Sequence, residues 1–273
     1  MDQLTCTIGG TEVPALGFGT WRLTGENCYE AVSDALDVGY RHIDTAQAYG
    51  NERQVGAALA DSDVAREDVF VTTKLNVGNR GYEDVLRTTE ESLARLDLSV
   101  LDLLLIHNPA QRTPIEETLD GMADLVADGT VRHIGVSNFG IDRLDRARRH
   151  ADVPILTNQV QYNPYWTQTE MRDYCAIHDI LLTAYSPLGH GAVLDDPVLT
   201  EIGERYDKSA VQVAIRWLLQ QGVATVPKAT SREHIAANID VFDFELTDAE
   251  MERVRQPSRR RALAGLVRGR LPG

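Results

Sequence analysis

The sequence predicts a closed parallel (β/α)8 barrel of the TIM-barrel class, and three observations carry the prediction. Eight short apolar or β-branched runs occur at 15–19, 41–45, 69–75, 101–107, 133–138, 155–160, 181–186 and 224–227. Longer segments lie between them, including 82–96, 115–127, 141–149 and 210–220, with apolar residues three and four apart as an amphipathic helix requires. The length, 273 residues, suits one such barrel, and no linker or low-complexity stretch divides it. Strands that alternate with helices build a parallel sheet, and eight of them close it.

The opening residues read differently. Leu4-Thr-Cys-Thr-Ile8, Gly9-Gly10 and Thr11-Glu-Val13 have the pattern of a β-hairpin with a glycine turn, expected to cap the barrel floor. At the other end, 248–256 reads as an extra helix. The Arg- and Gly-rich stretch 259–273 is expected to be partly mobile. Residues 1–273 are therefore read as a single domain.

Composition narrows the function. With 43% hydrophobic and 25% charged residues the chain can build an ordinary core. It holds no apolar run long enough to span a membrane and no basic-then-apolar leader, which predicts a cytoplasmic protein. A formal net charge of −14 disfavours nucleic acid and anionic membranes as partners. Of the 27 basic residues only Lys74, Lys208 and Lys228 are lysine. An acidic, lysine-poor surface suits a halophilic, high-salt cytoplasm, where screening weakens self-repulsion; genome composition bias is the alternative. Cys6, Cys28 and Cys175 are odd in number and widely spaced, which predicts free thiols and no metal site. Also absent are G-x-G-x-x-G, the P-loop, G-x-S-x-G and H-E-x-x-H, so a Rossmann site, a phosphate loop, a serine hydrolase and a zinc protease lose their usual support.

Barrel chemistry sits where the strands end. The second predicted strand ends in Asp44, with Tyr49 five residues on; the third carries Lys74 near its end; the fourth ends in His107. A lysine inside a barrel is costly unless paired, and Asp44 one strand away is the natural counter-ion. Together the four suit carbonyl reduction. A tyrosine phenol is a weak acid, and a neighbouring ammonium favours its ionised form, which makes it a better proton donor. A histidine beside it could hydrogen-bond the substrate oxygen. Taken singly, each has an ordinary structural reading; four on three successive strand ends and an adjoining loop make a site.

At this point the chain resembles the aldo-keto reductase family, from the N-terminal hairpin to about Leu246. The resemblance rests on Leu16-Gly-Phe-Gly-Thr-Trp21, Gly39-Tyr-Arg-His-Ile-Asp-Thr-Ala46 with Tyr49-Gly-Asn-Glu52, Thr73-Lys74-Leu75, and Asp102-Leu-Leu-Leu-Ile-His-Asn-Pro109. It continues in Ile134-Gly-Val-Ser-Asn-Phe139, Asn158-Gln-Val160, Ala184-Tyr-Ser-Pro-Leu-Gly189 and Val226-Pro-Lys-Ala229. The pattern is nearest to members resembling 2,5-diketogluconate reductases. The resemblance implies Asp44, Tyr49, Lys74 and His107 as the catalytic four. It implies that Ser137, Asn138 and Gln159 hold a nicotinamide carboxamide, that Tyr185 stacks on the ring, and that the loop with Ser186 and Leu188 touches the pyrophosphate. Thr20, Lys228, Ala229, Thr230, His234 and Asn238 complete the implied cofactor set. Trp21 and Asn108 would line the substrate pocket. The implied cofactor is NADPH, the implied partner a small carbonyl compound, and the implied state a monomer.

Three departures stand out. Asn108 replaces the tryptophan that often follows the histidine. The stretch 108–114 is short, which predicts a shallow pocket rim. Ala229 and His234 stand where NADPH-preferring relatives usually carry serine and arginine, which predicts that NADH is also accepted unless Arg232 turns inward to bind the 2′-phosphate. Rival readings are a Schiff-base lyase using Lys74, a metal-dependent hydrolase using His42, Asp44 and His107, and a non-catalytic nicotinamide-binding regulatory barrel. An adjacent carboxylate works against the low lysine pKa that the first needs. Against the second, Lys74 would set a competing cation beside the metal.

Overall fold

The computed structural model describes residues 4–78, 80–109 and 113–255; the stretch 259–273 and Gln256 of the expected last helix lie outside them. β1 (Thr5–Ile8) and β2 (Thr11–Pro14) pair antiparallel across Gly9 and Gly10. Both glycines have positive φ, 54° and 84°, the left-handed backbone that a tight hairpin turn requires and glycine adopts without steric cost.

Eight further strands follow: β3 (Phe18–Gly19), β4 (His42–Asp44), β5 (Phe70–Leu75), β6 (Leu101–Ile106), β7 (Val131–Ser137), β8 (Ile155–Gln161), β9 (Leu181–Tyr185) and β10 (Ala224–Thr225). They form one parallel sheet in chain order. The sheet closes between its first and last members. Leu16 bridges to Thr225, the Gly17 N–H donates to Thr225 O at 2.8 Å, and the Gly19 N–H donates to Pro227 O at 3.0 Å. Every predicted strand is present. Only β3 and β10 are much shorter than expected, because their flanking residues spend their hydrogen bonds on this closure.

Among the described residues ten α-helices pack outside: α1 (Gly25–Val38), α2 (Glu52–Ala60), α3 (Tyr82–Leu96), α4 (Ile115–Ala127), α5 (Ile141–His150), α6 (Thr169–Ile177), α7 (Pro197–Glu204), α8 (Ala210–Leu219), α9 (Arg232–Ile239) and α10 (Asp248–Arg255). The expected extra helix is α10. It docks on α7 and α8 through the Trp217 indole N–H, which donates to Met251 O at 3.1 Å, and through Arg205, which pairs with buried Glu250. α8 begins at a capping box in which Ser209 and Gln212 satisfy each other's backbone N–H. No helix of the described residues is long and apolar enough to cross a membrane.

Two apolar regions result. The larger lies between sheet and helices, with Leu104, Ile106, Ile134, Val136 and Trp217 fully buried in it. The smaller fills the barrel's interior: Val13, Leu103, Leu105, Leu156, Leu181 and Ala224, with Cys6, Ile8 and Phe70 packed against it. Val13, Cys6 and Ile8 come from the hairpin, so β1 and β2 plug the floor as expected. Side chains alternate along a strand. Interior positions Phe70 and Thr72 on β5, and Leu103 and Leu105 on β6, therefore continue to Lys74 and His107 at the open end. Cys28 and Cys175 are free and buried, Cys6 free and half-buried; burial pushes the Cys28 thiol up to about 11 and the Cys175 thiol up to about 12.

Gly135 of β7 is one of the tight points of the wall. A methyl group there would sit 2.7 Å from Leu105 Cδ2 and 2.8 Å from Thr157 O. Gly135→Ala should therefore cost about 1–3 kcal/mol through overpacking, read as a lower urea midpoint with unchanged m-value. A midpoint equal to the wild type would show that the wall relaxes.

Candidate active site

Asp44 ends β4 and Lys74 lies one residue from the end of β5. Both are buried, 3% and 0% exposed, and they are ion-paired, Lys74 Nζ to Asp44 Oδ1. The remaining lone pairs and protons of the pair are also used. Gln159 Nε2 donates to Asp44 Oδ2 at 2.7 Å, and Lys74 Nζ donates to Thr45 O at 2.9 Å. Buried charge survives when it is matched in this way. Burial opposes the lysine's charge, but Asp44 and Tyr49 more than offset it and hold its pKa above the ordinary value.

Tyr49 follows in a 3-10 turn, Gln47–Tyr49, closed by Gly50 with φ 67°. The Lys74 ammonium lies 5.2 Å from the phenol ring centroid. Here the expected direction of the pKa is corrected. Burial raises the phenol above its usual value and outweighs Lys74, which pulls it down. His107 stands edge-on to Tyr49, with ring centroids 5.6 Å apart. Burial first, then the Lys74 and Arg80 charges, push its pKa down to about 4, so the ring is neutral at physiological pH.

A second group lies across the mouth. Asn138, at φ 63°, turns just past β7; asparagine tolerates this left-handed conformation better than most residues. Its Nδ2 donates to Asn108 Oδ1 at 2.9 Å and to His107 O at 3.1 Å, and its Oδ1 accepts from the Tyr185 hydroxyl at 2.8 Å. Ser137 Oγ donates to Gln159 O at 2.8 Å.

An open cleft of about 810 Å³ joins these groups. Of the sequence-predicted residues it is lined by Trp21, Asp44, Tyr49, His107, Asn108, Ser137, Asn138, Gln159, Tyr185, Ser186, Leu188 and Lys228. Lys74 and Thr20 lie beneath the lining, fully buried; Thr20 Oγ1 donates to Asp44 O at 3.0 Å. Ala229 and Asn238 are also buried, while Thr230 and His234 are exposed, and none of these four lines the cleft. Arg232 does not turn inward: it pairs with Asp34 and Asp37 of α1 at 2.5 and 3.1 Å. His42, considered above as a metal ligand, is held by Thr72 Oγ1 at 3.1 Å and Pro14 O at 3.4 Å. The described residues contain no group of three or more His, Cys, Asp or Glu placed to hold a metal. Residues 110–112 of the expected shallow rim lie outside the described residues.

Several residues of the site escape a reading by strand ends. Buried Asn51 stitches two loops together: its Nδ2 donates to Thr20 O and Leu23 O at 2.9 and 3.0 Å, and its Oδ1 accepts from Thr45 Oγ1 at 2.7 Å. Buried Glu52 accepts from Thr73 Oγ1 at 2.6 Å and pairs with Arg95 at 2.7 Å, fixing β5 to α2 and α3. The adjacent Asn-Glu after Tyr49 was a visible signal, though without a role. Arg22 and His190 also line the cleft beside Trp21; Arg22 lies 4.3 Å from the indole centroid and His190 is edge-on at 6.1 Å. Neither carried any signal in sequence.

Residues 15–258 match the model of the aldo/keto reductase family. The chain is 43% identical to the glyoxal reductase of Bacillus subtilis (strain 168) over 246 residues, 90% of this chain and 89% of that protein. It is 39% identical to the 9,11-endoperoxide prostaglandin H2 reductase of Trypanosoma cruzi (strain CL Brener) over 265 residues, 96% and 93% of the two chains. Among solved structures, an aldo-keto reductase of Bombyx mori in complex with NADP superposes with a TM-score of 0.89 at 35% identity, covering 93% of this chain and 92% of that one. The chain belongs to the aldo/keto reductase family.

Proposed function

We propose that this protein reduces an aldehyde or ketone to an alcohol with NADPH, and that Tyr49 gives the proton. The observation that carries the reading is the buried Asp44–Lys74 pair, which sets a fixed ammonium against the Tyr49 hydroxyl at the bottom of the cleft.

The cleft suits a dinucleotide. Ser137, Asn138 and Gln159 offer a hydroxyl and two amides on one side, Tyr185 offers a flat ring, and Lys228 adds a cation at the far end. When bound, NADPH supplies the hydride that goes to the carbonyl carbon. Tyr49 donates its proton to the carbonyl oxygen as charge develops there, and the Lys74 ammonium stabilises the phenolate left behind. Neutral His107 offers a ring N–H to the same oxygen and orients the carbonyl. Asp44 keeps Lys74 charged and in place. Trp21 and Asn108 form the rim that meets the rest of the substrate.

Removing the phenol hydroxyl tests the assignment. Tyr49→Phe should lower carbonyl-reducing turnover by at least about a hundredfold while cofactor still binds, the latter seen by fluorescence titration. Near-normal turnover would remove Tyr49 from the reaction.

The pKa directions give a pH profile. The proton donor must be protonated, and burial, which raises its pKa above the ordinary phenol value, keeps it so throughout the neutral range. His107, with its pKa near 4, stays neutral over the same range. For reduction, kcat/KM should therefore be flat between about pH 6 and about pH 9. An acid limb near pH 6.5 that disappears in His107→Gln would show that the imidazole is charged in the working enzyme.

Cofactor choice turns on the 2′-phosphate. Arg232 is engaged by two aspartates, His234 lies outside the cleft lining, and Lys228 lines it as a single flexible ammonium without the fork of a guanidinium. NADH should accordingly be accepted alongside NADPH. The ratio of kcat/KM for the two measures this, and a preference above about a thousandfold, roughly 4 kcal/mol, would reject it.

A further inference from the structure

We propose that the protein has a second binding site, for a carboxylate or phosphate group, on the outer side of the His107–Asn108 turn between the starts of α4 and α5. A cavity of about 530 Å³ lies there, lined by Arg80, Thr118, Phe139, Asp142, Arg143 and Arg146 among others. It shares no lining residue with the carbonyl cleft, so its ligand is separate from the carbonyl substrate.

Arg80 is the reason to expect an anion. The side chain is buried, 2% exposed, in the loop between β5 and α3. Its Nε donates to Asn76 O at 3.1 Å and its Nη1 to Asn108 O. The third nitrogen, Nη2, is buried with no hydrogen-bond partner among the described residues. Burial pulls the guanidinium down to about 10, and among the described residues no carboxylate is bonded to it. A buried cation with a spare N–H is costly as it stands and is satisfied by an oxyanion, whose planar or tetrahedral oxygens suit a guanidinium edge.

The surroundings agree. Arg143 is exposed, with its guanidinium 5.8 Å from the Phe139 ring centroid. Arg146 is already paired with Glu116 at 2.7 Å. Asp142 is the acidic member of the lining and opposes an anion, but the arginines outnumber it. α4 and α5 both begin at the cavity's edge, at Pro114 and Gly140, but each carries acid in its first turn, Glu116 and Glu117 on α4 and Asp142 on α5, so the anion is held by the arginines and not by the helix ends.

The site is coupled to catalysis through one residue. Arg80 holds the Asn108 carbonyl, and the Asn108 side chain in turn accepts from Asn138 at the mouth of the main cleft. An anion held at Arg80 therefore bears on the turn that carries His107.

Calorimetric titration with inorganic phosphate, at ionic strength held constant with sodium chloride, tests the proposal. Wild type, Arg143→Ala and Lys228→Ala are compared; Arg143 is a surface residue, so its loss leaves the fold intact, and Lys228 reports on phosphate held in the main cleft instead. Binding at about millimolar affinity is expected, weakened at least about fivefold by Arg143→Ala and within about twofold of wild type in Lys228→Ala. Any other pattern, including no binding, overturns it. Arg80→Gln, checked for native circular dichroism, should abolish the binding altogether, and binding retained by a folded Arg80→Gln protein would equally overturn the site.

Discussion

Everything at the open end of this barrel depends on one buried ion pair. Lys74 and Asp44 lie on adjacent strands, at positions whose side chains must point inward, and both are almost wholly buried. Losing one partner of such a pair typically costs about 3–5 kcal/mol, a large share of the roughly 5–15 kcal/mol that holds a domain together. The pair is tolerated because Gln159 and the Thr45 carbonyl take up the groups that the two ions leave over. Those partners come from β8 and from the residue after Asp44, so the pair is satisfied only where β4, β5 and β8 face one another across the barrel.

The fold was largely legible because its signal is periodic. Segments 82–96 and 115–127 were read with the boundaries that α3 and α4 have, since an amphipathic stripe over three or four turns has few alternatives. The short end strands were less legible. Residues 15–19 are apolar and extended in pattern, but only Phe18–Gly19 form a ladder with β4, because Ala15 and Gly17 bond across to Thr225 on the far side of the closure. Closure is a property of the whole sheet and leaves no local trace.

The site divides in the same way. Ionisable residues at strand ends could be found from alternation alone, and Asp44, Tyr49, Lys74 and His107 do converge. The sign of the Tyr49 shift could not be found so. It depends on how deeply the loop after β4 sinks, and Asn51 sets that depth by bonding to Thr20 and Leu23, residues of another loop. Arg80 was invisible for a related reason: an isolated arginine in a turn reads as solvent-exposed until α4 and the Asn108 carbonyl are packed around it.

Burial thus acts in opposite senses on neighbouring groups, and this separates their tasks. The lysine keeps its charge because a carboxylate is bonded to it. The phenol keeps its proton because burial outweighs the ammonium. The imidazole loses its charge because it is buried with cations on two sides, Lys74 and Arg80, against the single opposing Asp44. One electrostatic field therefore yields a fixed cation, a protonated acid and a neutral hydrogen-bond donor within a few ångströms. An aqueous mixture of the same three side chains near pH 7 would leave the imidazole partly charged and the phenol's proton held by no neighbour. What differs is that a parallel sheet, by its period of two, brings alternate strand-end residues to the floor of one cleft, where burial and a few fixed charges act on them together.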